Sequence, residues 1–240
     1  MTINIRSISF IVPCYNEEKN IKKTIDEINF AINKLNIITY EIIIIDDGST
    51  DKTLDIINDL QNKINKIEII KNIKNLGLGG AIKRGFSAAK FDRVMFLPGD
   101  NCHKGSEIIK LLNVEGNYDL VLTYYSNPKT RFFFRYIFTK LYTPFLNFLF
   151  GLNLPYYNGL CVYKRSILNE IKIYTNSFTW QIELILKLFK TKNINYVIIP
   201  TVLDNRMEGT SKAFNFKNSI YVIYSIVRLF ILKFFLKKKN

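Results

Sequence analysis

Four consecutive isoleucines, Ile42–Ile45, run without a polar break into Asp46, Asp47, Gly48, Ser49, Thr50 and Asp51. An unbroken β-branched run is the pattern of a strand buried on both faces, and Glu41–Ile45 is read as one. The paired carboxylates and glycine then make a tight turn, and Thr50 or Asp51 is placed to cap a helix that follows. A buried strand that ends in acid and passes at once into a helix is the repeating unit of an α/β sheet.

The unit recurs along the first half of the chain. Ile8–Pro13 reads as a buried strand, with Asn16 as the cap of the next helix and Glu17 and Glu18 in its first turn, where the helix dipole favours acid. Ile21, Ile25, Ile28, Ile32 and Leu35 then recur at helical spacing. Leu54, Ile57 and Leu60 carry a second helix inward. Ile67–Lys71 is a third strand, Ala81–Lys90 a third helix and Arg93–Leu97 a fourth strand. A helix around Ile108–Leu112 and a strand at Asp119–Thr123 follow. This alternation predicts an α/β fold with a mostly parallel sheet covered by helices on both faces. Ligands in such sheets bind beyond the carboxyl ends of the strands. Tyr15, Asn16, Glu17, Asp46, Asp47 and Asp100 all fall at that edge.

Length and composition fit one large domain with a substantial core: the chain has 240 residues, 48% of them hydrophobic, which excludes a disordered chain. The formal charge of +14 points to nucleic acid, anionic lipid or phosphorylated small molecules, although an Ile-, Asn- and Lys-rich composition accounts for part of it. Cys14, Cys102 and Cys161 are too scattered for a metal site or a disulfide framework, as in a reducing compartment. Cys14 is expected to pack near a strand end. The lone His103 has no ligand company and is expected in a loop or at the surface. The N-terminus enters a strand almost directly, so no secretory leader is expected.

The second half changes character. Residues 131–154 are crowded with Phe, Tyr and Leu but interrupted by Arg135, Lys140 and Pro144. The segment is too broken to span a membrane and too apolar for a solvated loop, and is expected at an interface. Residues 220–236 form a second apolar stretch, broken by Arg228 and Lys233 and followed by Lys237–Lys239. A helix lying in the membrane interface with a basic end fits it best. The expected organisation is therefore one domain over 1–215, with 131–154 as an apolar interfacial segment within it, and a basic, apolar tail helix over 216–240.

The run GLGGAIKRG, Gly77–Gly85, is not a dinucleotide fingerprint: the third glycine position of G-x-G-x-x-G is Ile82, and the run follows the third strand rather than the first. It reads instead as a bend that lets a helix pack closely near a donor sugar. Together the segments IVPCYNEEKNI, IIIIDDGSTDKT, NLGLGGAIKRGFSAA, PGDN, WQIELI and NRMEGTSK resemble, in order, the motifs of family 2 inverting glycosyltransferases of the GT-A fold. The likeness is to dolichol-phosphate mannosyltransferases and other polyprenyl-phosphate glycosyltransferases, and it covers roughly residues 7–215.

The resemblance implies that Pro13, Tyr15, Asn16, Glu17 and Asp47 hold the nucleotide, with Gly99 and Asp100 beside the donor sugar. An aromatic face and a fixed proline suit a flat base, and a carboxylate accepts from a base N–H or a ribose hydroxyl. Asp46 either joins them or only shapes the turn. The family's D-x-D motif falls on Pro98, Gly99 and Asp100, so one carboxylate remains to hold Mg2+ or Mn2+ with the donor diphosphate. Arg206 and Lys212 lie in the position of the family's phosphate-binding cations. Glu183, which follows Trp180, occupies the place of its acidic residue, to orient the sugar or act as base.

The function so implied is inverting transfer of a sugar from a nucleotide-sugar donor to a polyprenyl phosphate at the cytoplasmic face of a membrane, by a peripheral hexosyltransferase. An ionised phosphate acceptor needs no strong base, which suits a chain poor in carboxylates around its motifs. A glycan hydroxyl as acceptor is the alternative, and would depend on Glu183 or Asp100. An inactive nucleotide- or lipid-binding module partnering a membrane protein is a third reading. Nucleic acid is not an expected partner, because no recognition motif accompanies the charge.

Overall fold

The computed structural model describes residues 7–127 and 133–204, with Ile231; for residues 133–138 it describes the backbone alone. The elements in chain order are β1 (Ser7–Cys14), α1 (Ile21–Leu35), β2 (Thr39–Asp46), α2 (Thr53–Lys63), β3 (Ile67–Lys71), α3 (Leu78–Ala88), β4 (Arg93–Phe96), α4 (Gly105–Leu112), β5 (Leu120–Tyr125), α5 (Phe133–Phe150), β6 (Cys161–Lys164), α6 (Arg165–Asn169), α7 (Trp180–Thr191) and β7 (Tyr196–Thr201).

The strands form one seven-stranded sheet in the order β3-β2-β1-β4-β6-β5-β7. β1 pairs in parallel with β2 and β4, and β2 with β3. β6 runs antiparallel between β4 and β5, and β5 is again parallel to β7. The sheet is therefore mostly parallel, as the sequence implies, with one reversed strand that the sequence reading did not anticipate.

Alternation along the strands sorts the core into two layers. Ile8, Phe10 and Val12 of β1, with Ile42 and Ile44 of β2, face the layer that also contains Ile21, Ile25 and Ile28 of α1 and Ile108 of α4. Ile11, Ile43 and Ile45 face the opposite layer, with Ala81 and Ile82 of α3 and Trp180, Leu184 and Ile185 of α7. Ile42–Ile45 are fully buried, so both faces of β2 are covered. At about 1.5–3 kcal/mol for each large apolar side chain taken from water, such a strand anchors the sheet. α1 stops where Asn36 adopts a left-handed conformation (φ 52°) and Ile37 N–H reaches back to Ile32 O at 3.0 Å, a Schellman-type end.

Residues 131–154 do contain a helix, α5, with Pro144 inside it. One face buries Thr143, Leu146 and Leu149; another exposes Leu141, Phe145 and Phe148. No helix among the described residues is long and apolar enough to cross a membrane. Apart from Ile231, the tail over 216–240 lies outside the described residues, as do the cations Arg206 and Lys212.

Candidate active site

Adjacent β1 and β4 are where the chain order reverses: β1 continues to β2 on one side, whereas β4 leads toward β5 on the other. In open α/β sheets the crevice beyond the carboxyl ends at such a switch point is the place for a ligand. The loops after β1, β2, β3 and β4 meet there. Asp47 N donates to Cys14 O (2.9 Å), Asn72 N to Asp46 O (2.9 Å) and Gly99 N to Pro13 O (3.1 Å), so the four strand ends are stitched by backbone hydrogen bonds.

The loop after β1 is held to the loop after β2 by side chains. Asn16 is not the helix cap that the sequence suggests. It adopts φ 52°, its N–H donates to Ser49 Oγ (2.9 Å), and its Oδ1 accepts from Thr50 N (2.8 Å). Asparagine tolerates the left-handed region better than most residues and so can spend its side chain across the gap rather than along its own helix. In consequence α1 begins only at Ile21, and Glu17 and Glu18 precede it instead of occupying its first turn. Glu17 N donates to Thr53 Oγ1 (2.8 Å), and its carboxylate accepts from Asn20 Nδ2 (2.9 Å). Glu18 N and Thr53 N both donate to Asp51, at 3.3 and 3.0 Å; the N-cap of α2 is Lys52, and Asp51, one residue before it, rather than Thr50, supplies the side-chain acceptor at the helix start. Burial raises the Asp51 carboxyl, but the Thr53 hydroxyl and these N–H donors outweigh it and hold the group below the usual aspartate range.

Asp47 is buried and engages the loop after β3. Its Oδ1 accepts from Asn72 Nδ2 (2.6 Å) and Leu76 N (2.9 Å), and its Oδ2 from Gly77 N (3.0 Å). Asn72 also accepts from Arg84, which extends the chain of contacts onto α3. Burial drives the Asp47 carboxyl above the ordinary value, with Asp46 adding to the rise and the three donors opposing it. Asp46 shapes the turn: its Oδ1 accepts from Ser49 N at 3.2 Å. Cys14 is buried at the end of β1, as expected, and burial beside Asp46 and Glu17 pushes its thiol well above the ordinary range, which leaves it unreactive.

Across the crevice, Pro98, Gly99 and Asp100 follow β4. Gly99 is buried against the end of β1: a methyl there would sit 3.0 Å from Cys14 Cβ and 3.2 Å from Pro13 O. Gly99 thus provides a close backbone approach. Asp100 is partly exposed, and its Oδ1 accepts from Cys102 N at 3.2 Å. Beyond it His103 is in a loop, as expected, but buried, with its ring stacked on Tyr125 at 6.1 Å. Tyr125 packs edge-on against Tyr156 at 5.3 Å. Tyr156 in turn borders a cavity of about 90 Å³ with Tyr142, Thr143, Asn158 and Thr179 on its walls.

A divalent cation is implied by the fold family. Among the described residues no three His, Cys, Asp or Glu side chains gather as a metal cluster. One carboxylate completed by substrate phosphate oxygens and water is a donor set that magnesium accepts. Asp100 fits a cation shared with a diphosphate, not a cage built by the protein alone.

Glu183 is placed differently from the residues at the crevice. It is buried on α7, and both carboxylate oxygens are engaged by backbone: Oε1 accepts from Tyr174 N and Oε2 from Thr175 N, each at 3.0 Å. Oε1 also pairs with Lys187 Nζ at 2.5 Å. The sequence reading missed Asn72, Asn176 and Lys187. Only Lys187 left a signal, its position four residues after Glu183 on one helix face.

These features define an α/β protein of the GT-A type, with its candidate site at the carboxyl edge of its sheet. The model for glycosyl transferase family 2 matches residues 9–172, and the chain belongs to that family. It is 34% identical over 110 residues to a dolichol-phosphate mannosyltransferase from Pyrococcus furiosus, covering 46% of this chain and 30% of that protein. To the human dolichyl-phosphate β-glucosyltransferase it is 32% identical over 112 residues, covering 44% and 35%. To the undecaprenyl-phosphate 4-deoxy-4-formamido-L-arabinose transferase of Yersinia pestis it is 34% identical over 140 residues, covering 55% and 42%. The matches thus span 30–42% of these relatives' length. Among solved structures, the UDP complex of glucosyl-3-phosphoglycerate synthase from Mycobacterium tuberculosis shares the fold at a TM-score of 0.67 and 20% identity, over 98% of this chain and 82% of that one. The complex of that enzyme with Mn2+, UDP and phosphoglyceric acid superposes at 0.64 with 20% identity, over 95% and 77%.

Proposed function

We propose that this chain is a peripheral hexosyltransferase that moves a sugar, with inversion, from a nucleotide-sugar donor to a polyprenyl phosphate at the cytoplasmic face of a membrane. One observation carries the reading. β5 is parallel to β4, and β6 is antiparallel to both, so the connection from Tyr125 to Cys161 leaves and re-enters the sheet at the edge that holds Asp47 and Asp100. That connection contains α5, which turns Leu141 (70% exposed), Phe145 (43%) and Phe148 (88%) to solvent. A donor crevice and an outward apolar helix at one edge suit an acceptor whose head must meet the donor while its tail stays in lipid. The relatives that carry lipid phosphates in their names add independent support.

In this reading Pro13, Tyr15, Asn16 and Glu17 border the nucleotide, and Asp47 fixes the glycine-rich bend beside it. An acceptor phosphate oxygen attacks the anomeric carbon, forming the new C–O bond as the bond to the donor diphosphate breaks on the opposite face. Asp100 would hold Mg2+ or Mn2+, and such a cation would neutralise charge growing on the leaving diphosphate. Arg206 and Lys212 would pair with phosphate as well. Arg206 is two residues beyond Asp204, whose N–H donates to Cys102 O (3.1 Å) in the Asp100 loop. The acceptor is already ionised near neutral pH, so no side chain has to remove a proton from it.

The test compares acceptors. Purified chain with labelled donor and magnesium is offered polyprenyl phosphate, the matching polyprenol, and a soluble glycan. Transfer to the phosphate alone supports the proposal. Transfer to the polyprenol or the glycan hydroxyl sinks it in favour of a hydroxyl acceptor. Nucleotide binding without transfer to any acceptor points to a binding module.

A further inference from the structure

The glycine-rich bend is gripped from two sides. On one side Asp47 accepts from Leu76 N and Gly77 N. On the other side Asn176 O accepts from Gly79 N at 2.9 Å, and the backbone there leaves no room for a side chain. A methyl on Gly79 would lie 2.6 Å from Thr175 O, and one on Gly77, which has φ +81°, would lie 2.5 Å from Asn176 O. Lys83 of α3 reaches the same loop, donating to Asn176 Oδ1 at 2.5 Å. The height of the bend in the crevice therefore depends on where residues 174–176 stand.

Those residues are set in turn by α7. Glu183 accepts from Tyr174 N and Thr175 N, the two amides immediately before Asn176. Lys187 donates to Glu183 Oε1 and to Lys172 O (2.7 Å), and its ammonium lies 4.3 Å from the centre of the Tyr174 ring. A carboxylate used by two backbone amides and an ammonium is acting as a loop anchor, and a base for an acceptor hydroxyl would need an oxygen turned to substrate. We infer that Glu183 and Lys187 are positioning residues: through residues 174–176 they hold the glycine-rich bend against Asp47 and so tune affinity for the donor's nucleotide. The inference rests on the proposed reading only in taking the ligand to be a nucleoside diphosphate.

The experiment uses the full chain, with UDP and GDP as probes in calorimetry and amide hydrogen exchange over residues 76–80. Glu183→Gln/Lys187→Met removes the ion pair without stranding a buried charge, and Gly79→Ala perturbs the same contact from α3. Each change should weaken nucleotide binding by about tenfold, and the two combined should fall short of the product of the separate effects, as expected of parts of one unit. Turnover at saturating donor should fall far less than binding, and exchange at 76–80 should rise selectively under native conditions. Unchanged nucleotide affinity with turnover abolished in Glu183→Gln would make Glu183 a base and overturn the inference, as would independent, multiplicative effects. If the double variant does not fold, Gly79→Ala with Asn176→Gly decides the matter: both must weaken binding and speed exchange at 76–80, or the inference fails. A wild-type chain that binds neither nucleotide would count against the proposed function, while unaltered exchange at 76–80 in the variants would count against the positioning role.

Discussion

Asp47 holds Gly77: its Oδ2 accepts the Gly77 N–H at 3.0 Å, joining the end of β2 to the start of α3 across the crevice. The same carboxylate takes two further donors through Oδ1. Asp47→Asn keeps the shape but turns an amide N–H toward an N–H. It should cost about 1–3 kcal/mol in urea unfolding, the usual range for a buried polar group left unsatisfied, and should weaken nucleotide binding in calorimetry.

The raised Asp47 pKa also gives a pH signature. The folded state holds this proton more tightly than the unfolded chain, whose aspartates titrate near about 3.9. Relative to Asp47→Asn, the wild type is therefore most stable below that value. It loses stability as pH rises toward the elevated folded value and is level above it. Urea midpoints of both proteins across acidic pH measure this; a difference that grows with pH would contradict the assignment.

Asp51 behaves in the opposite sense. Its folded pKa is depressed, so its contribution is present above about pH 3.9 and is lost as pH falls through the lowered folded value. Asp51→Ala should cost about 1 kcal/mol near neutral pH, of the order lost when a side-chain acceptor at a helix start is removed, and much less in strong acid. Thermal unfolding at two pH values is sufficient to see it.

The Glu183–Lys187 pair should show the asymmetry of buried ion pairs. Lys187→Met alone leaves a buried carboxylate without its cation and should destabilise by about 3–5 kcal/mol. Replacing both partners together should cost distinctly less, as chemical denaturation of the two variants would reveal.

If α5 rests on lipid, Leu141→Ser/Phe148→Ser should abolish sedimentation with anionic vesicles. Both side chains are largely exposed, so stability should change by no more than about 0.5 kcal/mol per site. Retained vesicle binding would remove α5 from the account.

How much of this could be read from the residues depends on where the information lies. β1 to β4 were legible because each is an apolar run closed by turn chemistry, and the buried ridge of α1 followed from its isoleucine spacing. β6 was not, since Cys161–Lys164 has only four residues and no periodicity to detect. β7 escaped because Tyr196–Thr201 is an edge strand that carries Pro200, which an edge tolerates and a central strand does not. At the site, the motifs placed Asp47 and Asp100 at the right edge. The reading of Asn16 as a helix cap failed because its left-handed backbone and its bond to Thr50 depend on a loop 34 residues away. The backbone partners of Glu183 were hidden for the same reason: the amides of Tyr174 and Thr175 meet it only once α7 has folded back on the preceding loop.

The most direct test of the central claim is a transfer assay with the purified chain, magnesium, polyprenyl phosphate and a panel of labelled nucleotide sugars. The account predicts that label from one donor enters the organic phase only when the lipid phosphate is present, and that Asp100→Asn removes this product. Label that stays in the aqueous phase with every donor, or that reaches lipid equally well with Asp100→Asn, would contradict it.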